Sequence, residues 1–287
     1  IASLGVSHPQ EAMLLLTKTA VPRQAFICQS VPLHLAGSSL LQSRDDIVDT
    51  WAAIADIDVR DVRAGPRATQ LSLPMRHGGI ALTDYPVVAD CALIGAWAAS
   101  ASWLKATIPS LSMLGTEDAC PPIWGGLHRA FDRLHESGPL VRELLPSSIH
   151  DLVDLETPRK LQSKLTAALH QQRFDDMHAT LLRDGDMADA ARVTALAAKG
   201  ATAWQSVIPY NEDVQLSPPA LRAAHRFQLG LPQPHLVEAK RRMQSCYCCG
   251  LPVTCVKGHH LLTASNMSSS LGGRRDTHDN VVHAISG

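Results

Sequence analysis

Leu40-Leu41-Gln42-Ser43-Arg44-Asp45-Asp46-Ile47-Val48-Asp49-Thr50-Trp51-Ala52-Ala53-Ile54-Ala55 is the stretch whose reading decides the fold. Leu40, Leu41, Ile47, Val48, Trp51, Ile54 and Ala55 recur at helical spacing, and Arg44, Asp45 and Asp49 fall between them. That period belongs to an amphipathic helix with one buried stripe, not to a strand, whose period is two. Composition extends the reading to the whole chain of 287 residues. Aromatics are only 4% and alanine is frequent, a mix that favours helices with small packing residues over a β-sandwich. Hydrophobic residues make up 45%, which excludes a mostly disordered chain. The expected fold is mainly α.

Outward from residues 40–55, further helices are predicted. Residues 10–29 carry Met13, Leu14, Leu16 and Ala20 on one face, interrupted by Pro22. Residues 56–70 are charged, and Gly65-Pro66 reads as a boundary. Residues 71–82 read as a compact turn-bearing segment. Residues 87–104 are nearly apolar, with Asp90 the one charge. They are Ala-, Ser- and Gly-rich and shorter than the roughly 20 residues a membrane span needs, so a buried helix and no membrane contact are expected. Prolines 109, 121, 122, 139, 146 and 158 divide the next stretch into short helices and loops. Residues 159–200 read as helical with a break near Gly185. Ser217-Pro218-Pro219 reads as a helix start with Ser as N-cap, and Gly230-Leu231-Pro232 as its stop. A short helix is expected from Asp276. The expected organisation is a helical segment over 1–60, a helical linker over 61–235 and a small Cys/His module over 236–287.

The net charge is −1, so the whole molecule is no basic binder of nucleic acid, but the charge is uneven. From Ser217 to the end, eight cations (Arg222, Arg226, Lys240, Arg241, Arg242, Lys257, Arg274, Arg275) face three acids, a local +5 against −6 elsewhere. Such an end can face phosphate, and those eight are the candidate nucleic-acid contacts. Arg222 and Arg226, four apart, share one helix face.

Of seven cysteines, Cys28, Cys91 and Cys120 are scattered and read as ordinary buried or loop thiols. Cys246, Cys248, Cys249 and Cys255 crowd into ten residues beside His259 and His260. A tight cluster in an odd total points to metal binding in a reducing compartment, and so to an intracellular protein of nucleus or cytoplasm. Cys246 and Cys249 on a turn closed by Gly250 can grip one face of Zn2+, with His260 closing the other in a Cys-x2-Cys-x10-His frame. Ala264 occupies the place of a fourth ligand. Cys255, Cys248, His259, His278 or a water are the candidates to replace it.

Catalytic motifs are few. Phe174-Asp175-Asp176 invites comparison with polymerase aspartates, but its flanks read as helix and the pair as a solvated face. Asp45-Asp46 sits in a polar helical stripe. There is no Gly-rich phosphate loop, nucleophile elbow or His-Glu-x-x-His pair. His77 beside Gly78-Gly79 reads as a turn histidine. No small-molecule substrate is expected. Residues 1–5 are not basic and no cleavage pattern follows, which predicts no leader. Ile1 in place of Met predicts a piece of a longer protein.

Taken in order, these segments resemble the region after the polymerase palm in LINE-type non-LTR retrotransposon reverse transcriptases. His8-Pro9-Gln10 onward, Pro22-Arg23 and Val31-Pro32-Leu33-His34-Leu35 are similar to that family's first blocks. Leu73-Pro74-Met75-Arg76-His77-Gly78-Gly79-Ile80-Ala81-Leu82 resembles its "LP…GGLGL" block, the most specific match. Gly200-Ala201-Thr202-Ala203-Trp204, Leu216-Ser217 and Leu229-Gly230-Leu231-Pro232 resemble later blocks, and the ending resembles a zinc knuckle. Ala264 departs from the family's last cysteine, and Thr277 from the arginine before its His-Asp, here His278-Asp279. The resemblance implies a thumb-like helical segment, a linker and a knuckle that contact template RNA or target DNA. The polymerase aspartates lie upstream of this region in the family and the endonuclease downstream, so a non-catalytic segment is expected. The alternative is a structural or protein-interaction helical domain.

Overall fold

The structure, a computed structural model, describes residues 1–107, 121–210, 214–245, 252 and 256–257. Within them every named element is helical, and the sole β feature is an isolated antiparallel bridge between Ser245 and Pro252. The α-helices are α1 (Leu4–Ser7), α2 (Pro9–Leu15), α3 (Ala25–Ser30), α4 (Leu33–Ala55), α5 (Gly65–Ser72), α6 (Tyr85–Thr107), α7 (Pro121–Glu136), α8 (Pro139–Arg142), α9 (Leu161–Arg183), α10 (Met187–Leu196), α11 (Pro218–Gln228) and α12 (Pro234–Arg241).

The fold is built around α6. It packs against α3, α4, α7 and α9, and Val88, Ala89, Cys91, Ala92, Leu93, Ile94 and Ala98 are buried. Small residues make that crowding feasible. A Cβ on Gly95 would lie 2.4 Å from Cβ of Gln162, so α6 and the start of α9 approach at backbone distance. Asp90 inside α6 accepts two 2.7 Å hydrogen bonds from Arg133 of α7, which neutralise its nearly buried carboxylate. None of the described helices is long and apolar enough to cross a membrane.

Helix α4 supplies the second wall. Leu40, Ile47, Trp51 and Ile54 are buried, as the 3.6-residue period requires, and the helix ends on Asp56 at φ +53°, a left-handed cap. The main hydrophobic cluster runs from Ala12 to Leu231 and is continuous across residue 60, joining α2 and α4 to α6, α7, α9 and α11. A smaller cluster of Leu73, Met177, Leu181, Ala190 and Val193 ties α9 and α10 to the turn after α5.

Two sequence expectations change. Residues 10–29 are not one interrupted helix. α2 widens into a π turn at Leu16–Ala20, tightens into a 3-10 turn at Val21–Gln24 and resumes as α3. Pro22 has no N–H to donate and its ring crowds the preceding turn, so the backbone rearranges around it. Thr17 Oγ1 donates to the Met13 carbonyl at 2.9 Å within the widened turn. Gly65-Pro66 marks a boundary, as expected, and opens α5, with Gly65 at φ +62° and proline in the first turn. Pro121-Pro122 likewise opens the sixteen-residue α7, a longer helix than the proline spacing predicts. The break near Gly185 is present, between α9 and α10, with Gly185 at φ +77°. The helix expected from Asp276 lies outside the described residues.

Candidate nucleic-acid interface

The turn over residues 73–82 is held by its two glycines. Gly78 has φ +71°, and a Cβ there would meet Leu196 Cβ at 2.8 Å. At Gly79 the constraint is space: a Cβ would lie 1.9 Å from the Leu73 carbonyl oxygen. Removing side chains lets the turn sit under two buried glutamines. Gln70 Nε2 donates to the Gly78 carbonyl at 2.9 Å and to the Gln228 carbonyl at 2.8 Å. Gln228 Nε2 donates to the carbonyls of Gly78 and Gly79 at 3.2 and 2.9 Å. Arg192 Nη1 donates to Gln70 Oε1 and to the Gln228 carbonyl. This seam joins α5, α10 and α11.

Arg192 carries the seam outward. Its Nε donates to Asp189 Oδ1 at 3.0 Å, and both side chains are buried. Asp189 Oδ2 accepts from Lys257 Nζ at 2.7 Å, and Asp186 Oδ2 accepts from the same ammonium at 3.2 Å. Burial raises the Asp189 pKa, but the Lys257 hydrogen bond and the Arg192 charge outweigh it and hold the carboxyl below its ordinary value. Asp186 is also the N-cap of α10, accepting from Asp189 N at 3.1 Å.

Lys257 thus pairs with the start of α10. Nearby, Gln233 N donates to the Val256 carbonyl at 2.8 Å, and Gln233 Nε2 donates to the Ala223 carbonyl at 3.1 Å. The bridge between Ser245 and Pro252 brings together the two sides of the stretch that, in sequence, contains Cys246, Cys248 and Cys249.

The predicted basic residues divide into two groups. Arg226 is half-buried, its Nη2 donating to the Asp56 carbonyl at 2.5 Å and its Nη1 to the Pro232 carbonyl at 3.4 Å. Arg222, on the same helix, is half-buried and its Nε is enclosed without a hydrogen-bond partner among the described residues. With Lys257, these side chains are turned toward the protein. Lys240, Arg241 and Arg242 form the second group, exposed at the C-terminal end of α12. Arg241 and Arg242 both donate to Glu238, at 2.6–2.7 Å, with side-chain exposures of 71% and 62%. One carboxylate thus stands against three cations, which also sit where the helix dipole favours positive charge.

Cys246, Cys248, Cys249, Cys255, His259, His260, His278, Ala264, Arg274 and Arg275 lie outside the described residues. Among the described residues no three His, Cys, Asp or Glu side chains are grouped to hold a metal. Asp175 and Asp176 are exposed on α9 and accept from Gln171 and Gln172, one turn earlier, at 2.9 and 3.0 Å. His77 is buried against the Phe174 ring, with centroids 5.5 Å apart. Cys28 and Cys91 are buried free thiols, and burial pushes their pKa values up to about 11 and about 12.

Sequence reading missed the polar seam itself. Asp186, Asp189 and Arg192, spaced three apart on one helix face, carried a readable signal, whereas Gln70 and Gln228 carried none. It also missed His225, fully enclosed with neither ring nitrogen hydrogen-bonded among the described residues, flanked by Trp51 at 5.4 Å and Trp204 at 5.0 Å. Burial pushes its pKa down to about 3. Comparison of the chain with family models, curated proteins and solved structures finds no match.

Proposed function

We propose that this chain is a non-catalytic helical segment of a LINE-type reverse transcriptase that grips nucleic acid at its basic C-terminal end. The observation that carries the proposal is the exposed Lys240, Arg241 and Arg242 in one helical turn against a single acid, Glu238. Guanidinium and ammonium groups left to solvent in this way can neutralise backbone phosphates and release their counterions, with no base code required. The order of sequence blocks from Pro9 to Pro232 supports the parentage, and the +5 charge beyond residue 217 supports the polarity of the surface.

In this proposal Cys246, Cys249 and His260 hold Zn2+, with Cys255 or His278 as the fourth ligand. The metal would be structural, closing a small hairpin that Lys240, Arg241, Arg242, Arg274 and Arg275 bracket in the sequence. The Ser245–Pro252 bridge supports this, because it pairs residues that flank Cys246 and Cys249 in the sequence. RNA or DNA is the partner, within a nucleus or cytoplasm.

The test is binding of the purified chain to single-stranded RNA and duplex DNA across a salt series, with zinc counted on the same sample. Salt-sensitive affinity and roughly one zinc per chain, lost in Cys249→Ser, is the expected result. Exposed Phe26, Leu35 and Trp103 favour the second reading, a protein-interaction domain. Zinc-free protein with no affinity for either polymer decides for that reading.

A further inference from the structure

Lys257 sits between two carboxylates that hold it much as two phosphate oxygens would. Its ammonium lies 2.7 Å from Asp189 Oδ2 and 3.2 Å from Asp186 Oδ2, and its side chain retains 27% exposure. Asp189 is committed to the body through Arg192. Asp186 is different: its side chain is 39% exposed, and among the described residues its side-chain hydrogen bonds are from Lys257 and, as N-cap, from Asp189 N. The acid pair therefore holds a cation at the surface and in reach of solvent ions, not in a sealed core.

We infer that Asp186 and Asp189 form an internal phosphate mimic that sequesters Lys257, a self-bound state which nucleic acid must displace. The inference rests on the nucleic-acid reading proposed above and names how that surface is regulated. A phosphodiester brought to Lys257 meets the negative charge of Asp186 and Asp189, so carboxylates and phosphate compete for the one ammonium. The backbone pairing of Gln233 N with the Val256 carbonyl keeps the lysine near the acid pair and makes the competition intramolecular. A polyanion that captures Lys257 gains one further phosphate contact and releases the lysine from the acid pair at the start of α10. Asp189 keeps Arg192 as a counter-charge when the lysine leaves, so the body survives release.

Asp186→Asn isolates the effect, since asparagine is as good an N-cap as aspartate and only the charge is lost. The full chain, Asp186→Asn, Lys257→Met and the double variant are titrated with single-stranded oligouridine RNA and with duplex DNA over a potassium chloride series, with helicity and melting checked for each. The expected result is that Asp186→Asn binds about fivefold more tightly, the scale of one partly exposed ion pair. Its log-affinity against log-salt slope steepens by about 0.7 on single strands or 0.9 on duplex, the signature of one more neutralised phosphate. Lys257→Met binds no more tightly than the unaltered chain, and the double variant follows Lys257→Met. Equal affinity and slope for Asp186→Asn and the unaltered chain, with both binding, overturns the mimic and leaves the nucleic-acid reading standing. Absence of salt-sensitive binding in all four proteins overturns both.

Discussion

The seam beneath Gly78-Gly79 and the tip of α12 use the same kinds of side chain to opposite ends. In the seam, Arg192 is buried and its donors meet Asp189, Gln70 and the Gln228 carbonyl. At the tip, Lys240, Arg241 and Arg242 lie in solvent around Glu238. Burial explains the contrast. A guanidinium removed from water needs a full set of acceptors, and once it has them its loss leaves several groups unpaired. Exposed pairs such as those on Glu238 stabilise little, so their positive charge remains open to a partner. Cations of the first kind specify the fold, and cations of the second kind can carry a function.

The sharpest way to break the seam is steric. Gly79→Ala places a methyl group against the Leu73 carbonyl oxygen, and the turn cannot yield without breaking the glutamine bonds above it. A loss of about 3 kcal/mol or more is expected, read as a collapsed urea midpoint or insoluble protein. A Gly79→Ala protein that melts with the unaltered chain contradicts the geometry of the turn.

Removing charge from the seam comes next. Arg192→Met removes the guanidinium from the buried Asp189 carboxylate and strips donors from Gln70 Oε1 and the Gln228 carbonyl. The expected cost is about 3 kcal/mol by urea unfolding, whereas Arg242→Met at the tip costs under about 1 kcal/mol. Equal losses at the two sites erase the distinction between them.

A third prediction concerns acid. His225 is neutral in the folded chain, with its pKa pushed down to about 3 by burial, and near 6.5 once unfolded. Below pH 6.5 the unfolded state binds a proton that the folded state refuses. Stability therefore falls as pH drops from 6.5 toward 3, and is restored above 6.5. His170, lowered to about 4 chiefly by burial and then by Arg173 and Arg76, acts in the same direction. His225→Phe reduces the slope of unfolding free energy against pH by up to one proton over this window, with the His170 share remaining. An unchanged slope means that His225 is not the enclosed base described. The smallest effect is at Ser217, whose hydroxyl accepts from Ala220 N at a long 3.4 Å. Ser217→Ala costs about 0.5–1 kcal/mol of thermal stability.

These contrasts mark what could be read from the residues. Helices α4 and α6 were legible because each follows one rule, a 3.6-residue stripe in the first and near-continuous small apolar residues in the second. The segment through Pro22 was not, because the sequence shows that a hydrogen bond is lost but not whether the chain breaks or widens into a π turn. The basic run 240–242 was legible as charge and stays charge at the surface. Arg226 and Lys257 looked the same in sequence, yet one Arg226 acceptor lies 170 positions away at Asp56, and the Lys257 acceptors lie 71 and 68 away at Asp186 and Asp189. No local pattern encodes such pairings. The glycine pair was legible as a specific block, but its reason, a carbonyl oxygen where a methyl would stand, belongs to the folded turn.

The most direct test of the account is the salt slope of nucleic-acid binding for the chain with Lys240, Arg241 and Arg242 all changed to alanine, beside the unaltered chain. The account predicts unchanged helicity, weaker binding to both RNA and DNA, and a slope shallower by about 2 to 3 on duplex, near one unit for each phosphate no longer neutralised. Identical slopes and affinities for the two proteins would contradict it.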